Sequence, residues 1–140
     1  MLNGEYRHTM DEKGRISIPS KFRKELGGKF VMTKSIGEKC LYIFALPEWK
    51  KIDQKFSELP LSDKNARRAI RYFVGGAAEG ELDNQGRVKI PEYLRKFAEL
   101  NRDVVLVGMS TRVEMWNGQL WDKYNEEYED IEQDMERIGL

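Results

Sequence analysis

The chain is poor in the residues that staple, ligate or span. A single cysteine, Cys40, in 140 residues rules out an intrachain disulfide, and its place in an apolar strand pattern suits a reducing, cytoplasmic setting. One histidine, His8, beside that one cysteine cannot supply a usual zinc site of four nitrogen and sulfur ligands. The longest wholly apolar run, Cys40 to Leu46, falls far short of the roughly 20 residues that cross a bilayer. No charged stretch followed by an apolar one stands at the N-terminus, so export is not expected. Neither a Walker loop nor a G-x-G-x-x-G fingerprint is present for nucleotides. His8, Ser17 and Asp11 can be strung into a triad on paper, but along one hairpin, with no glycine elbow or oxyanion donor. No enzyme activity, cofactor, metal, membrane or small-molecule substrate is therefore expected. His8 reads as an ordinary strand residue.

Net charge is also lacking: 24 basic and 24 acidic residues cancel. The balance hides a segregation. Residues 122–137 hold eight acids (Asp122, Glu126, Glu127, Glu129, Asp130, Glu132, Asp134, Glu136) against Lys123 and Arg137, a net of −6, which leaves +6 on the rest. A basic body suits an anionic partner. With 40% hydrophobic and 34% charged residues and a mean hydropathy of −0.67, the composition is that of a globular protein.

What the chain does have is a signature that occurs twice. Asp11-Glu12-Lys13-Gly14-Arg15 leads into Ile16-Ser17-Ile18-Pro19; 72 residues on, Asp83-Asn84-Gln85-Gly86-Arg87 leads into Val88-Lys89-Ile90-Pro91. At the same offset Arg23-Lys24 recurs as Arg95-Lys96, and Trp49 falls on Trp121. A register kept over that span is an internal duplication.

Each copy reads as strand, glycine turn, strand, short helix and two further strands. In the first copy these are Tyr6 to Met10, the turn Asp11 to Gly14, a strand with Ile16 and Ile18 inward, a helix from Ser20 to Leu26, and strands at Phe30 to Thr33 and Leu41 to Leu46. The second copy offers Ala77 to Leu82, Val88 to Ile90, a helix from Pro91 to Leu100, Val104 to Val107 and Val113 to Trp116, its third strand shifted by about two residues. Pro47 opens a helix with Trp49, Ile52 and Phe56 on one face. A linking helix capped by Ser62 or Asp63 places Ala66, Ala69, Ile70 and Phe73 on one side, with Lys64, Arg67, Arg68 and Arg71 crowding the remainder. The expected division is unit 1 over 5–47, connecting helices over 48–75, unit 2 over 76–119 and a C-terminal helix over 120–140. Each unit is too small to bury an adequate core alone. The expected fold is α+β, mainly β: an intrachain pseudo-dimer whose strands close one small barrel, with flanking helices.

The C-terminal segment spaces Trp121, Tyr124, Tyr128, Ile131, Met135 and Ile138 as a heptad seam. It can lie on its own barrel or cover a neighbouring subunit; Trp121, Tyr124, Tyr128 and Ile131 are the candidate oligomer contacts.

The residues with chemistry to offer are the turn arginines. Asp11 can pair with Arg15, and Asp83 with Arg87, to stiffen each turn, while Gly14 and Gly86 supply its left-handed position. A carboxylate that orients an arginine also leaves it able to fork onto phosphate or a guanine edge. Lys13 at the first tip, Lys89 after the second and Arg7 on the preceding strand complete the candidate DNA-binding set, Arg15, Lys13, Arg87, Arg7 and Lys89. Lys21, Arg23, Lys24, Arg95 and Lys96 read as solvated helix faces, and the linker arginines as a solvated or interdomain face.

The doubled D-x-x-G-R motif, its position near the N-terminus, the tryptophan after the fourth strand and the length resemble the MraZ family, within the SpoVT/AbrB-like swapped-hairpin group. The resemblance implies two AbrB-like units in one pseudo-symmetric, double-psi-like barrel. It further implies a homo-oligomeric, ring-forming DNA-binding regulator, cytoplasmic and nucleoid-associated, that binds repeated boxes in double-stranded promoter DNA. Its implied targets are the division and cell wall gene cluster and its own gene, under repression. The second copy has Asn84-Gln85 where the first has Glu12-Lys13, so the first hairpin is expected to be the stronger DNA reader. A different class of function, an antitoxin-type interaction module that clamps a partner with the acidic tail, is opposed by the duplication, since such modules are usually single units.

Overall fold

Glycines and prolines place the boundaries. The computed structural model describes residues 1–127 and 130–140. In chain order it contains β1 (Glu5–Thr9), β2 (Arg15–Ser17), α1 (Ser20–Leu26), β3 (Lys29–Lys34), β4 (Leu41–Ala45), α2 (Leu46–Ser57), α3 (Lys64–Phe73), β5 (Ala78–Glu81), β6 (Arg87–Lys89), α4 (Glu92–Phe97), β7 (Asp103–Gly108), β8 (Val113–Asn117), α5 (Gly118–Glu126) and α6 (Ile131–Arg137). Pro19 and Pro91 stand at the N-caps of α1 and α4, where a missing N–H costs nothing. Asp63 caps α3 by accepting from the Asn65 N–H at 3.0 Å.

The α+β, mainly β architecture is observed, and the two copies exchange strands. One sheet runs β1-β7-β8-β4-β3-β5, and β2 pairs with β6 in a separate two-stranded ribbon. All of these pairings are antiparallel. β1 of the first copy lies on β7 of the second, and β5 of the second lies on β3 of the first. β4 meets its own counterpart β8, with Tyr42 opposite Glu114. β2 meets its counterpart β6, with Ile16 opposite Val88. The third strands begin 74 residues apart, at Lys29 and Asp103, rather than 72. The two extra residues lie in the connection after α4, where Glu99 takes φ 53° at the position Gly27 holds (φ 79°) in the first copy. That reversal also ends α4 at Phe97, short of the expected Leu100.

The sheet is buried on both faces. The inner face joins Ile16, Ile18, Phe22, Phe30, Ile43, Val88, Ile90, Leu94, Leu106 and Met115 into one core drawn from both copies. On the outer face Tyr42, Phe44, Phe73, Val105 and Trp116 are covered by Trp49, Ile52 and Phe56 of α2 and by Leu120 and Trp121 of α5. Cys40 is fully buried there, and burial pushes its thiol up to about 12, so it is a neutral packing residue. On α3, Ala66 and Phe73 are buried as expected but Ala69 is exposed, because the outer layer does not extend over that turn.

The expected single C-terminal helix is two helices. Asn117 caps α5, and Trp121 and Tyr124 pack on Trp116 at ring distances of 5.4 and 5.3 Å, so this half of the seam lies on the chain's own sheet. Asp130 caps α6 through the Gln133 N–H at 3.1 Å, a local carboxylate cap that starts a new helix. Ile131 and Met135 on α6 and Ile138 at its C-cap are 40, 40 and 70% exposed. Tyr128 lies outside the described residues.

Since β1 and β2 find their partners only across the duplication, residues 1–75 expressed alone should be unfolded or pair with a second copy. Adding residues 76–140 should restore the circular dichroism and the single unfolding transition of the intact chain. A folded, monomeric 1–75 fragment would contradict the exchange.

Candidate nucleic-acid interface

Each motif turn is built by one aspartate. Asp11 Oδ1 accepts the backbone N–H groups of Lys13 (3.0 Å) and Arg15 (2.9 Å), and Oδ2 accepts Arg15 Nε at 2.7 Å. Asp83 repeats this with Gln85 (2.8 Å), Arg87 (2.9 Å) and Arg87 Nε (3.0 Å). Gly14 and Gly86, at φ 78° and 74°, close the turns by donating to the aspartate carbonyls at 3.0 Å. The backbone N–H of the turn arginine, donating to the charged carboxylate, is the main reason that both carboxyls are held below their ordinary value of 3.8.

The arginine is thus gripped through Nε alone. Neither Nη of Arg15 donates a hydrogen bond among the described residues, and its side chain is about one-third exposed. This leaves the planar end of the guanidinium, with four N–H donors, directed at solvent. The aspartate fixes the approach of the fork without neutralising its hydrogen-bonding edge.

The swap then assembles the two turns into one surface. In the β2–β6 ribbon Ile16 and Val88 face the core, so Arg15, Ser17, Arg87 and Lys89 share the outer face. The register sets Arg15 opposite Lys89 and Ser17 opposite Arg87. Ile18 N–H donates to Gly86 O and Ile90 N–H to Gly14 O, which ties each strand to the other copy's turn. Arg87 Nη1 stands 4.0 Å from Asp11 Oδ2, so the first aspartate meets both motif arginines. What the sequence presents as two prongs is one continuous ribbon with three cations and a serine on its outer face.

The ribbon is not symmetric. Lys13 and Lys89 flank Arg15, whereas the equivalent positions around Arg87 are Gln85 and Ser17. Three of the basic groups therefore gather at the Arg15 end.

Arg7 is placed differently. It projects from β1 and pairs with Asp103 of β7 at 3.2 Å and with Asp122 of α5, so its charge is compensated within the molecule. The structure also gives a local role to residues read as solvated helix faces. Arg95 packs over Gly14, where an added Cβ would come within 2.7 Å of its guanidinium carbon, and Arg23 packs over Gly86 in the same way. Arg95 Nε donates to Ile90 O at 2.9 Å. Each helix arginine covers the turn of the other copy, which is why both glycines are buried. Their recurrence at the 72-residue offset is the one signal that marks them. Lys24 and Lys96 remain exposed. Among the described residues no group of three or more His, Cys, Asp or Glu could hold a metal ion, and no helix is long and apolar enough to cross a membrane.

A duplicated swapped-hairpin fold with a basic ribbon across its pseudo-twofold axis defines the class of protein. The family model described as "MraZ protein, putative antitoxin-like" matches the chain twice, over residues 1–72 and 73–139. Three similar curated proteins are each called "Transcriptional regulator MraZ". The one from Halothermothrix orenii is 46% identical over 144 residues and the one from Alkaliphilus metalliredigens 44% over 144, both covering all of each chain. The one from Carboxydothermus hydrogenoformans is 51% identical over 124 residues, 89% of this chain and 86% of the relative. The chain belongs to the MraZ family.

Two measurements check the turn. Gly14→Ala should cost about 1–2 kcal/mol in urea unfolding, from the left-handed backbone alone, and should displace Arg95. Because both aspartates titrate below their unfolded value, their contribution to stability is complete above it and is lost as pH falls through the folded value. The amide shifts of Lys13 and Arg15, and of Gln85 and Arg87, should hold steady from neutral pH into the mildly acidic range and titrate with midpoints below 3.8.

Proposed function

We propose that the chain is a sequence-specific DNA-binding transcriptional regulator, and that the outer face of the β2–β6 ribbon is its reading head. A two-stranded antiparallel ribbon fits the major groove, which is about 12 Å wide. Arg15 is the principal base reader, presenting its Nη pair to a guanine edge. Lys13 and Lys89 neutralise phosphates on either side of it, and Arg87 makes the second, weaker contact. Arg7, already paired twice, contributes least. Asp11, Gly14, Asp83 and Gly86 act as turn-structuring residues rather than ligands. The names of the relatives support regulation of transcription. The single observation that carries the reading is a guanidinium oriented through Nε with its other nitrogens free and two lysines beside it.

One ribbon touches few base pairs, so one chain binds weakly. A homo-oligomer, closed as a ring, gains by effective concentration on double-stranded promoter DNA whose boxes recur at matching spacing. In this reading the protein is cytoplasmic and nucleoid-associated, and represses the division and cell wall gene cluster together with its own gene. The charge-segregated tail serves assembly.

Arg15→Ala should lower affinity for specific promoter DNA by about ten- to hundred-fold, to the non-specific level, with unchanged circular dichroism and assembly mass. Lys13→Ala should instead weaken binding to all sequences alike and lower the salt slope by about one. A gel shift by folded Arg15→Ala indistinguishable from that of the intact chain would overturn the assignment.

A further inference from the structure

Two uncovered surfaces in this chain complement one another. The first is an open cavity of about 530 Å³ between α2 and α3, with Ile36, Phe56, Ala69, Tyr72 and Phe73 in its walls and Arg68 at its rim. Ile36 is 65% exposed and Tyr72 37%, so apolar surface faces solvent there. The basic edge is uncompensated. α3 carries Lys64, Arg67, Arg68 and Arg71 and no acid. Arg67 turns back to the carbonyls of Leu61 and Ser62, but Arg68 and Arg71 are exposed and have no carboxylate or hydrogen-bond partner among the described residues.

The second surface is α6. Ile131 and Met135 on one face of α6, with Ile138 at its C-cap, stand at i, i+4 and i+7, the anchor spacing of a helix that lies in an apolar groove. Glu132 and Glu136 flank that stripe on one side and Asp134 on the other, with Arg137 the one base of the helix. An apolar stripe edged by carboxylates matches an apolar groove with the unpaired guanidinium of Arg68 at its rim, in shape class and in sign.

We propose that α6 of one copy docks in the α2–α3 groove of a second copy. The inference rests on the homo-oligomeric reading above and names its contact. Among the described residues nothing covers the helix stripe or the groove, and each chain carries one of each, so a second copy satisfies both in equal number. Such a contact is head-to-tail: helix meets groove rather than helix meeting helix, so it repeats from copy to copy and closes into a ring where the rotation allows. Desolvation of Ile131, Met135 and Ile138 supplies the attraction, and Arg68 at the groove rim sets the orientation and makes assembly sensitive to salt.

A complementation experiment on the full chain tests this, read by sedimentation velocity. Met135→Lys spoils the helix stripe and Ala69→Glu spoils the groove; both positions are exposed in the folded chain, and circular dichroism checks that the fold is kept. Each variant alone should self-associate about ten-fold more weakly or worse than the intact chain. Mixed, they should form a 1:1 heterodimer and nothing larger, since the good helix of one copy fits the good groove of the other and the remaining pair is blocked. Undiminished assembly of either variant, a mixture that stays at single-chain mass, or an intact chain that is itself monomeric overturns the proposal. Failure of the DNA reading is seen separately, as loss of the Arg15-dependence of binding in the intact chain, and leaves this contact standing.

Discussion

Everything in this molecule depends on the exchange of hairpins between its two halves. Neither β1 nor β2 pairs within its own 72-residue unit: the backbone donors of the first hairpin are satisfied by β7 and β6 of the second unit. Unpaired, those strands would expose a row of polar backbone groups and the apolar side chains between them. The exchange solves both problems at once. It makes one core out of two undersized ones, and it brings the two glycine turns to opposite ends of a single ribbon.

That geometry explains why the turns are so closely specified. Gly14 and Gly86 must reverse the chain and must also leave room for Arg95 and Arg23, which arrive from the opposite unit. Asp11 and Asp83 hold their turn backbones and, through Nε, the arginines that follow. The structural and the recognition roles of the motif are therefore the same hydrogen bonds seen from two sides. A guanidinium fixed in this way loses little rotamer entropy on meeting a ligand, which favours a precise contact over a diffuse electrostatic one.

Duplication did not keep the halves equivalent. Where the fold needs a twofold match, at Ile16 opposite Val88 or Tyr42 opposite Glu114, the pairing is kept. On the solvent side it has drifted. Lys13 corresponds to Gln85 and Lys89 to Ser17, and both substitutions move basic charge toward the Arg15 end of the ribbon. The outer layer differs as well: α2 and α3 follow the first unit, whereas α5 and α6 follow the second. One molecule thus presents a groove at one place and an acidic helix at another, the condition for a directional contact between copies.

The amino-acid sequence by itself determined the duplication, the turns, the strand order within each unit and the starts of α1 and α4, because these are written in short-range chemistry: a glycine with positive φ, an aspartate two and four residues before the N–H groups it binds, a proline at a helix entry. It also carried the asymmetry of the two tips, which is a matter of which residue stands at Lys13 and at Gln85. Contacts over long separations were decided by the tertiary structure alone. Nothing local shows that Lys89 lies opposite Arg15, that Arg23 covers Gly86, or that Arg7 is drawn to Asp103 and Asp122, 96 and 115 residues away. The heptad spacing from Trp121 to Ile138 looked continuous because spacing does not register a competing cap such as Asp130. Each of these depends on which strand of one unit pairs with which strand of the other, and that choice is made by burying a shared core rather than by any neighbouring residue.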